Sequence, residues 1–196
     1  MFTRASLMAS CVAIAVLGGS AFAQGAAVTE RVRQCAACHG EDGNSTVKAI
    51  PSLAGQPEFF VLNQLFLMRE GVRRIAVMAP YVNDLTDADI DALAKHFTRL
   101  APRASDEPID PALVTRGRDL AVTLRCASCH LPSFAGRQQM PRLAGQRIDY
   151  LIHSMKEFRD NTRSGADTIM SSVVGGLPDV DVTALAHYAA SLESSK

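Results

Sequence analysis

The sequence predicts an all-α protein built from two tandem modules. Three observations predict it. The stretch Cys35-Ala36-Ala37-Cys38-His39 returns 91 residues on as Cys126-Ala127-Ser128-Cys129-His130. Apolar residues recur at helical spacing wherever a pattern exists, and no stretch alternates as a half-buried strand would. Residues 101–111 carry three prolines in polar surroundings and read as a linker between halves of about 80 to 90 residues.

Two cysteines separated by two residues and followed at once by histidine form the haem c attachment pattern. Chemistry dictates the spacing. The thiols add across two vinyl groups on one porphyrin edge, so they must lie about one helical turn apart. The next residue then falls under the ring, where its imidazole reaches the iron as proximal ligand. Three other readings compete. A redox dithiol expects a preceding strand and has no need of the histidine. A structural zinc would require both pairs to meet across some ninety residues and would leave both histidines idle. Two separate structural disulfides are the third. Two copies at matched positions favour haem, with Cys35, Cys38, Cys126 and Cys129 as attachment points and His39 and His130 as ligands.

Residues 1–23 read as a secretory signal. Arg4 supplies the positive start, residues 12–17 the apolar heart, and Ala21-Phe22-Ala23 a small-x-small cleavage site before Gln24. The apolar run is too short to span a membrane. Cys11 raises a lipoprotein alternative, although most of the apolar run follows it; a retained, anchoring signal is another. Export implies an oxidising compartment, the periplasm, where exposed CxxC pairs would otherwise oxidise.

Past the signal, which holds one of the 20 Lys+Arg, 19 basic side chains face 20 acidic ones. The two halves are each nearly neutral, and haem propionates would add negative charge. No basic stripe exists, so nucleic acid is excluded as a partner class. Tryptophan is absent, as fits a core in which porphyrin is the large flat apolar body.

The repeat extends well beyond the cysteines. Pro51-Ser52-Leu53-Ala54-Gly55-Gln56 returns as Pro141-Arg142-Leu143-Ala144-Gly145-Gln146, Arg69-Glu70-Gly71 as Arg159-Asp160-Asn161, and Leu93-Ala94 as Leu185-Ala186. Met78 stands seven residues before Leu85 and Met170 seven before Leu177. A first helix leads into each CxxCH, its face marked by Val28 and Val32 or by Leu120 and Leu124. A loop with glycine and proline follows. Residues 59–70 form an amphipathic segment through Phe59, Leu62, Leu65, Phe66 and Met68; residues 149–160 are its counterpart through Tyr150, Leu151, Ile152, Met155 and Phe158. The last helix of the first half starts after Thr86, an N-cap with Asp89 three residues on and Asp87 in the positive first turn. Its buried stripe is Ile90, Leu93, Ala94 and Phe97. Pro178 replaces that threonine in the second half and suits a first helical position better than a cap. Each half is small for an independent core, a shortage that a covalently held haem relieves.

Two CxxCH modules, each followed by Pro-x-Leu-Ala-Gly-Gln, an aromatic helix and a lone methionine ahead of the final helix, resemble the dihaem cytochromes c4 over nearly the whole mature chain. The resemblance implies a periplasmic or membrane-attached electron carrier of two class I cytochrome c domains with their haems near each other. It implies domains at residues 24–100 and 112–196, joined by 101–111. It further implies His39 and Met78 as axial ligands of one iron and His130 and Met170 of the other, with the Pro51 and Pro141 carbonyls orienting the histidines. Pro178, and a surface with very few lysines, depart from the family pattern; the latter argues against docking through a lysine ring.

Methionine among apolar neighbours usually fills space, which is how Met68, Met140 and Met155 read. Met78 and Met170 each stand alone in their loop at the repeated distance, with 38 and 39 residues between them and the attachment histidine, enough chain to pass around a haem to its far face. Met140 and His153 are the spare candidates in the second half, while His96 and His187 read as surface or packing residues. Thioether is a weak donor that favours ferrous iron, and two filled axial positions leave no open site. These features describe a carrier, not an enzyme, moving one electron per haem between a quinol-oxidising complex and a terminal oxidase. The alternatives are a cytochrome subunit of a periplasmic dehydrogenase and, from another class, a dihaem peroxidase. The short, stiffened linker and balanced charges predict halves packed together, haem edge facing haem edge.

Overall fold

The computed structural model describes residues 19–165 and 168–193. Of the expected export signal, residues 1–18 lie outside the described residues. Among the described residues four helices make the first half: α1 (Gly19–His39), α2 (Glu58–Arg69), α3 (Ala79–Val82) and α4 (Asp87–Arg99). Five described helices make the second: α5 (Pro111–Thr123), α6 (Ala127–His130), α7 (Ile148–Arg159), α8 (Thr168–Val174) and α9 (Asp179–Ser191). Among the described residues the only β pairing is an isolated bridge between Arg137 and Met140. No single described helix is long and apolar enough to cross a membrane.

Each half has its own core. In the first, α4 packs on α1 and α2, and its expected stripe of Ile90, Leu93, Ala94 and Phe97 is buried with Val61, Leu65, Val82 and Leu85. Its start is a reciprocal cap: Asp89 N–H donates to the Thr86 hydroxyl at 3.1 Å, and Thr86 N–H to the Asp89 carboxylate at 2.9 Å. In the second, α9 packs on α5 and α7, and Leu185, Ala186, Ala189 and Ala190 meet Ala121, Ile148, Leu151 and Phe134. Helices α5 and α9 touch backbone to backbone at Gly117, where a Cβ would collide with the Ala184 carbonyl.

Four local readings need correction. Pro178 occupies the N-cap of α9 (φ −68°, ψ 157°), not its first turn; its fixed φ suits that extended cap as well, and Asp179 opens the helix. Met170 sits in α8, not in a loop, because no glycine or proline interrupts the run until Gly175. The buried side of α2 is Val61 and Leu65, while Phe59 and Phe66 are exposed; the Arg69 guanidinium covers the Phe66 ring, 5.3 Å from its centroid. The helix leading into the second CxxCH stops at Thr123, whereas α1 runs unbroken through the first. Arg125 at the break has φ +55°.

The halves are joined by a reciprocal hydrogen-bonded contact between the two copies of the repeated hexapeptide. Gln56 binds the backbone of Arg142, and Gln146 binds the backbone of Ser52. The Arg142 guanidinium, 1 % exposed, reaches the Ala54 carbonyl across the interface at 2.9 Å and the Ala144 carbonyl within its own half. Around them, Ala49 N–H donates to Asp149 at 3.0 Å, Arg147 to the Ser45 carbonyl at 3.3 Å, and Arg74 N–H to the Ser164 hydroxyl at 2.7 Å. The linker is pinned at both ends. Arg103 pairs with Asp42 at 2.7 Å, and the Glu107 carboxylate accepts the Ile148 and Asp149 N–H groups at 2.6 and 3.0 Å. Those are free donors at the start of α7, which has no side-chain cap of its own. The two halves are packed together, as the short linker leads one to expect.

Candidate functional site

Both CxxCH stretches are helical where it matters. Cys35, Cys38 and His39 lie on α1 one turn apart, and Cys129 and His130 lie on α6, whose N-cap is Cys126. None of these four cysteines is in a disulfide. Cys35 and Cys126 pack against the cores of their halves, and burial raises both thiols above their ordinary pKa. Among the described residues no three His, Cys, Asp or Glu side chains converge as a metal cluster, so the zinc alternative finds no site.

The histidines are buried and their tautomers are set. His39 Nδ1 donates to the Pro51 carbonyl at 2.8 Å, and His130 Nδ1 to the Pro141 carbonyl at 3.0 Å. A carbonyl can only accept, so each Nδ1 carries the proton and each Nε2 keeps its lone pair. Burial, only partly offset by those carbonyls, lowers both pKa values and holds the rings neutral. His130 Nε2 is buried without a hydrogen-bond partner, and on an imidazole that directly follows a CxxC pair its lone pair is open to a metal. Helix-borne thiols one turn apart and a neutral imidazole with an orphaned Nε2 are the donors that haem c attachment needs.

Met78 is the N-cap of α3 and packs, half-buried, on the first core; Met170 is half-buried on α8. Met140 is held in the bridge with Arg137. The His153 side chain is 61 % exposed beside Glu157. His96 stands edge-on to Phe97 with a buried, unpartnered Nε2, and His187 accepts the Asp110 N–H at 3.2 Å, both packing roles.

Two family descriptions match the chain: "Cytochrome C oxidase, cbb3-type, subunit III" over residues 20–96 and "Cytochrome c" over residues 114–193. Cytochrome c4 of Pseudomonas aeruginosa is 32% identical over 195 residues, covering 93% of this chain and 96% of that one. The chain belongs to the cytochrome c4 family. The crystal structure of reduced recombinant cytochrome c4 from Pseudomonas stutzeri superposes with a TM-score of 0.77 at 30% identity, covering 86% of this chain and 98% of that one. A protein named thiosulfate dehydrogenase electron acceptor, from Thiomonas intermedia, is 32% identical over 93% of this chain and 91% of its own length. As a cytochrome c4, the protein transfers electrons and carries two covalent haem c groups, for which the chain has two attachment motifs.

Sequence reasoning passed over Gln56, Gln146 and Arg142, which make the contact between the halves. It also passed over Arg73 and Arg163, two buried side chains at the same 90-residue offset as the hexapeptides. These flank Tyr150, whose phenol burial would raise; Arg73, then Arg163, outweigh burial and lower its pKa. The available signal was the glutamine ending both hexapeptides.

Proposed function

We propose that this cytochrome c4 is exported to the periplasm and shuttles electrons, one per haem, between a quinol-oxidising complex and an acceptor such as a terminal oxidase. The observation that carries the proposal is the pair of equivalent histidines, each held by a proline carbonyl from a repeated hexapeptide. Cys35 and Cys38 attach one haem, Cys126 and Cys129 the other. His39 with Met78, and His130 with Met170, would hold the two irons. Each haem c, when bound, supplies a one-electron ferric/ferrous couple. The residues of the chain do the rest. Pro51 and Pro141 keep the proton on Nδ1 and aim the rings. Met78 and Met170 bring thioethers, weak donors that favour the ferrous state. A histidine and a methionine held on each iron would leave no coordination position for peroxide, as suits a carrier and not an enzyme. The domains are residues 24–100 and 112–196 about the 101–111 linker. Residues 1–23 direct export; kept, or lipidated at Cys11, they attach the protein to the membrane. Intact mass after acid-acetone extraction tests the attachment. The expected value is the chain from Gln24 plus two haem masses; the mass of an apoprotein with two disulfides overturns the proposal.

A second reading has its own observation. A relative covering most of this chain is named for accepting electrons from thiosulfate dehydrogenase, so a periplasmic dehydrogenase is the alternative donor. Copurification of the native protein from its own membranes separates the two: a quinol-oxidising complex supports the first, a soluble dehydrogenase the second.

A further inference from the structure

We infer that Gln56 and Gln146 are positioning residues that set the electron affinity of the haem in the opposite domain. The inference rests on the ligation proposed for His39 and His130. The carbonyl that accepts from His39 and the N–H of Ser52 belong to one peptide group, Pro51–Ser52. That N–H donates to Gln146 Oε1 at 2.8 Å, and Gln146 Nε2 donates to the Ser52 carbonyl at 2.9 Å. The other half repeats the arrangement. The Pro141–Arg142 peptide accepts from His130 through its carbonyl and donates through its N–H to Gln56 Oε1 at 2.9 Å, while Gln56 Nε2 donates to the Arg142 carbonyl at 3.0 Å. One amide thus separates each ligand histidine from a glutamine of the other domain.

An amide whose N–H is engaged is a stronger acceptor at its carbonyl, because hydrogen bonds in a chain polarise one another. A stronger acceptor draws the Nδ1 proton outward and makes the imidazole a better donor at Nε2, the lever by which outer partners tune a metal. The richer ligand favours ferric iron. Gln146 therefore lowers the potential of the first haem and Gln56 that of the second. Both bonds exist only while the halves are packed. Reciprocity follows: if packing stabilises ferric iron, oxidation must tighten packing by the same free energy.

The test uses the haem-loaded protein. Gln146→Leu removes the acceptor of the Ser52 N–H and its reverse bond, and with them the acceptor of the Arg147 N–H at 3.0 Å, which does not touch the His130 peptide. In the ferrous, diamagnetic state the His39 Nδ1–H proton resonance should move upfield, with His130 unchanged. Redox titration should show one component raised, by up to about tenfold in the ratio of reduced to oxidised iron, which is 59 mV for one electron. Gln56→Leu should give the mirror image, moving His130 and the other component. Gln146→Glu keeps an acceptor for the Ser52 N–H, a stronger one when ionised, and gives up only the donor to the Ser52 carbonyl, so it should move the His39 proton downfield even if the leucine variant folds poorly. Equal movement of both histidines, movement of the histidine in the glutamine's own domain, or no movement overturns the inference. Failure of the ligation looks different: the wild-type Nδ1–H protons would lack the ring-current displacement of a haem, and the potentials would ignore a crossed pattern still visible in the hydrogen bonds.

Discussion

Gln56 brackets the backbone of Arg142, taking its N–H at 2.9 Å and giving to its carbonyl at 3.0 Å, and Arg142 answers with its guanidinium on the Ala54 carbonyl at 2.9 Å. The two residues come from different domains and close a loop of hydrogen bonds about the centre of the interface. Burial lowers the Arg142 pKa to about 10, so the side chain stays charged at neutral pH at a cost offset by carbonyl acceptors. Arg142→Ala removes donors from the Ala54 and Ala144 carbonyls and leaves a void, and should destabilise the haem-loaded protein by about 2–4 kcal/mol. For a chain of this size that lowers Tm by about 2–4 °C per kcal/mol. Arg142→Lys should recover little, since one ammonium cannot reproduce the planar fork. Calorimetric melting reads both.

Packing of the domains should depend on pH through Asp149. Burial opposes its ionisation, but the Arg147 hydrogen bond and the Ala49 N–H outweigh it, and the carboxyl sits below its ordinary pKa. A depressed folded pKa means the contribution is fully present above the unfolded value of about 3.9 and is lost as pH falls through the folded one. The radius of gyration from small-angle scattering should hold from pH 7 to about pH 5 and grow below about pH 4 as the halves part. Asp149→Asn should weaken the contact by about 1–2 kcal/mol at neutral pH and remove this part of the acid transition.

Much of this was legible from residue spacing. The CxxCH pairs located the helical thiols, and Thr86 with Asp89 located the start of α4. The hexapeptide was visible as a repeat, but not its purpose. Gln56 and Gln146 act across domains, and periodicity within one module carries no information about that. Because both glutamines grip backbone, the residue gripped is free to differ, as Ser52 and Arg142 do. Backbone conformation was equally hidden. Gly40 and Gly43 at positive φ are what a tight turn after a helix leads one to expect. Their counterparts, Leu131 and Phe134, hold positive φ without being glycine, and tertiary packing, not propensity, keeps them there.

Leu131 makes that conflict measurable. At φ 69° and ψ 160° it occupies a region that only glycine visits readily, at a cost of about 1–3 kcal/mol. Leu131→Gly relieves the strain and returns part of it as unfolded-state entropy, for a net gain of about 1 kcal/mol. Denaturant unfolding of the haem-loaded variant should show a higher midpoint with an unchanged slope. The reverse change, Gly40→Leu, should destabilise by more, because a Cβ at Gly40 meets the Asn44 carbonyl as well.

The methionine assignment gives the sharpest test of the proposed function. Met78 and Met170 hold equivalent places in the repeat, one capping α3 and the other on α8, and both are half-buried. Thioether ligation raises potential by favouring ferrous iron, so Met78→Ala and Met170→Ala should each lower one redox component and leave the other in place. The drop should be on the order of 0.1 V or more, within the roughly 0.8 V that axial ligands command. Both haems should remain attached, since the thiols of Cys35, Cys38, Cys126 and Cys129 are untouched. Redox titration with intact mass on the same samples reads both effects. Two rivals exist in the second half. His153 faces solvent beside Glu157, and Met140 is tied into its bridge with Arg137, so neither should rescue the Met170 variant. A Met170→Ala protein whose two components both stay where they were would remove Met170 from the site, and the double variant with Met140→Ala would then show whether the sulfur comes from there.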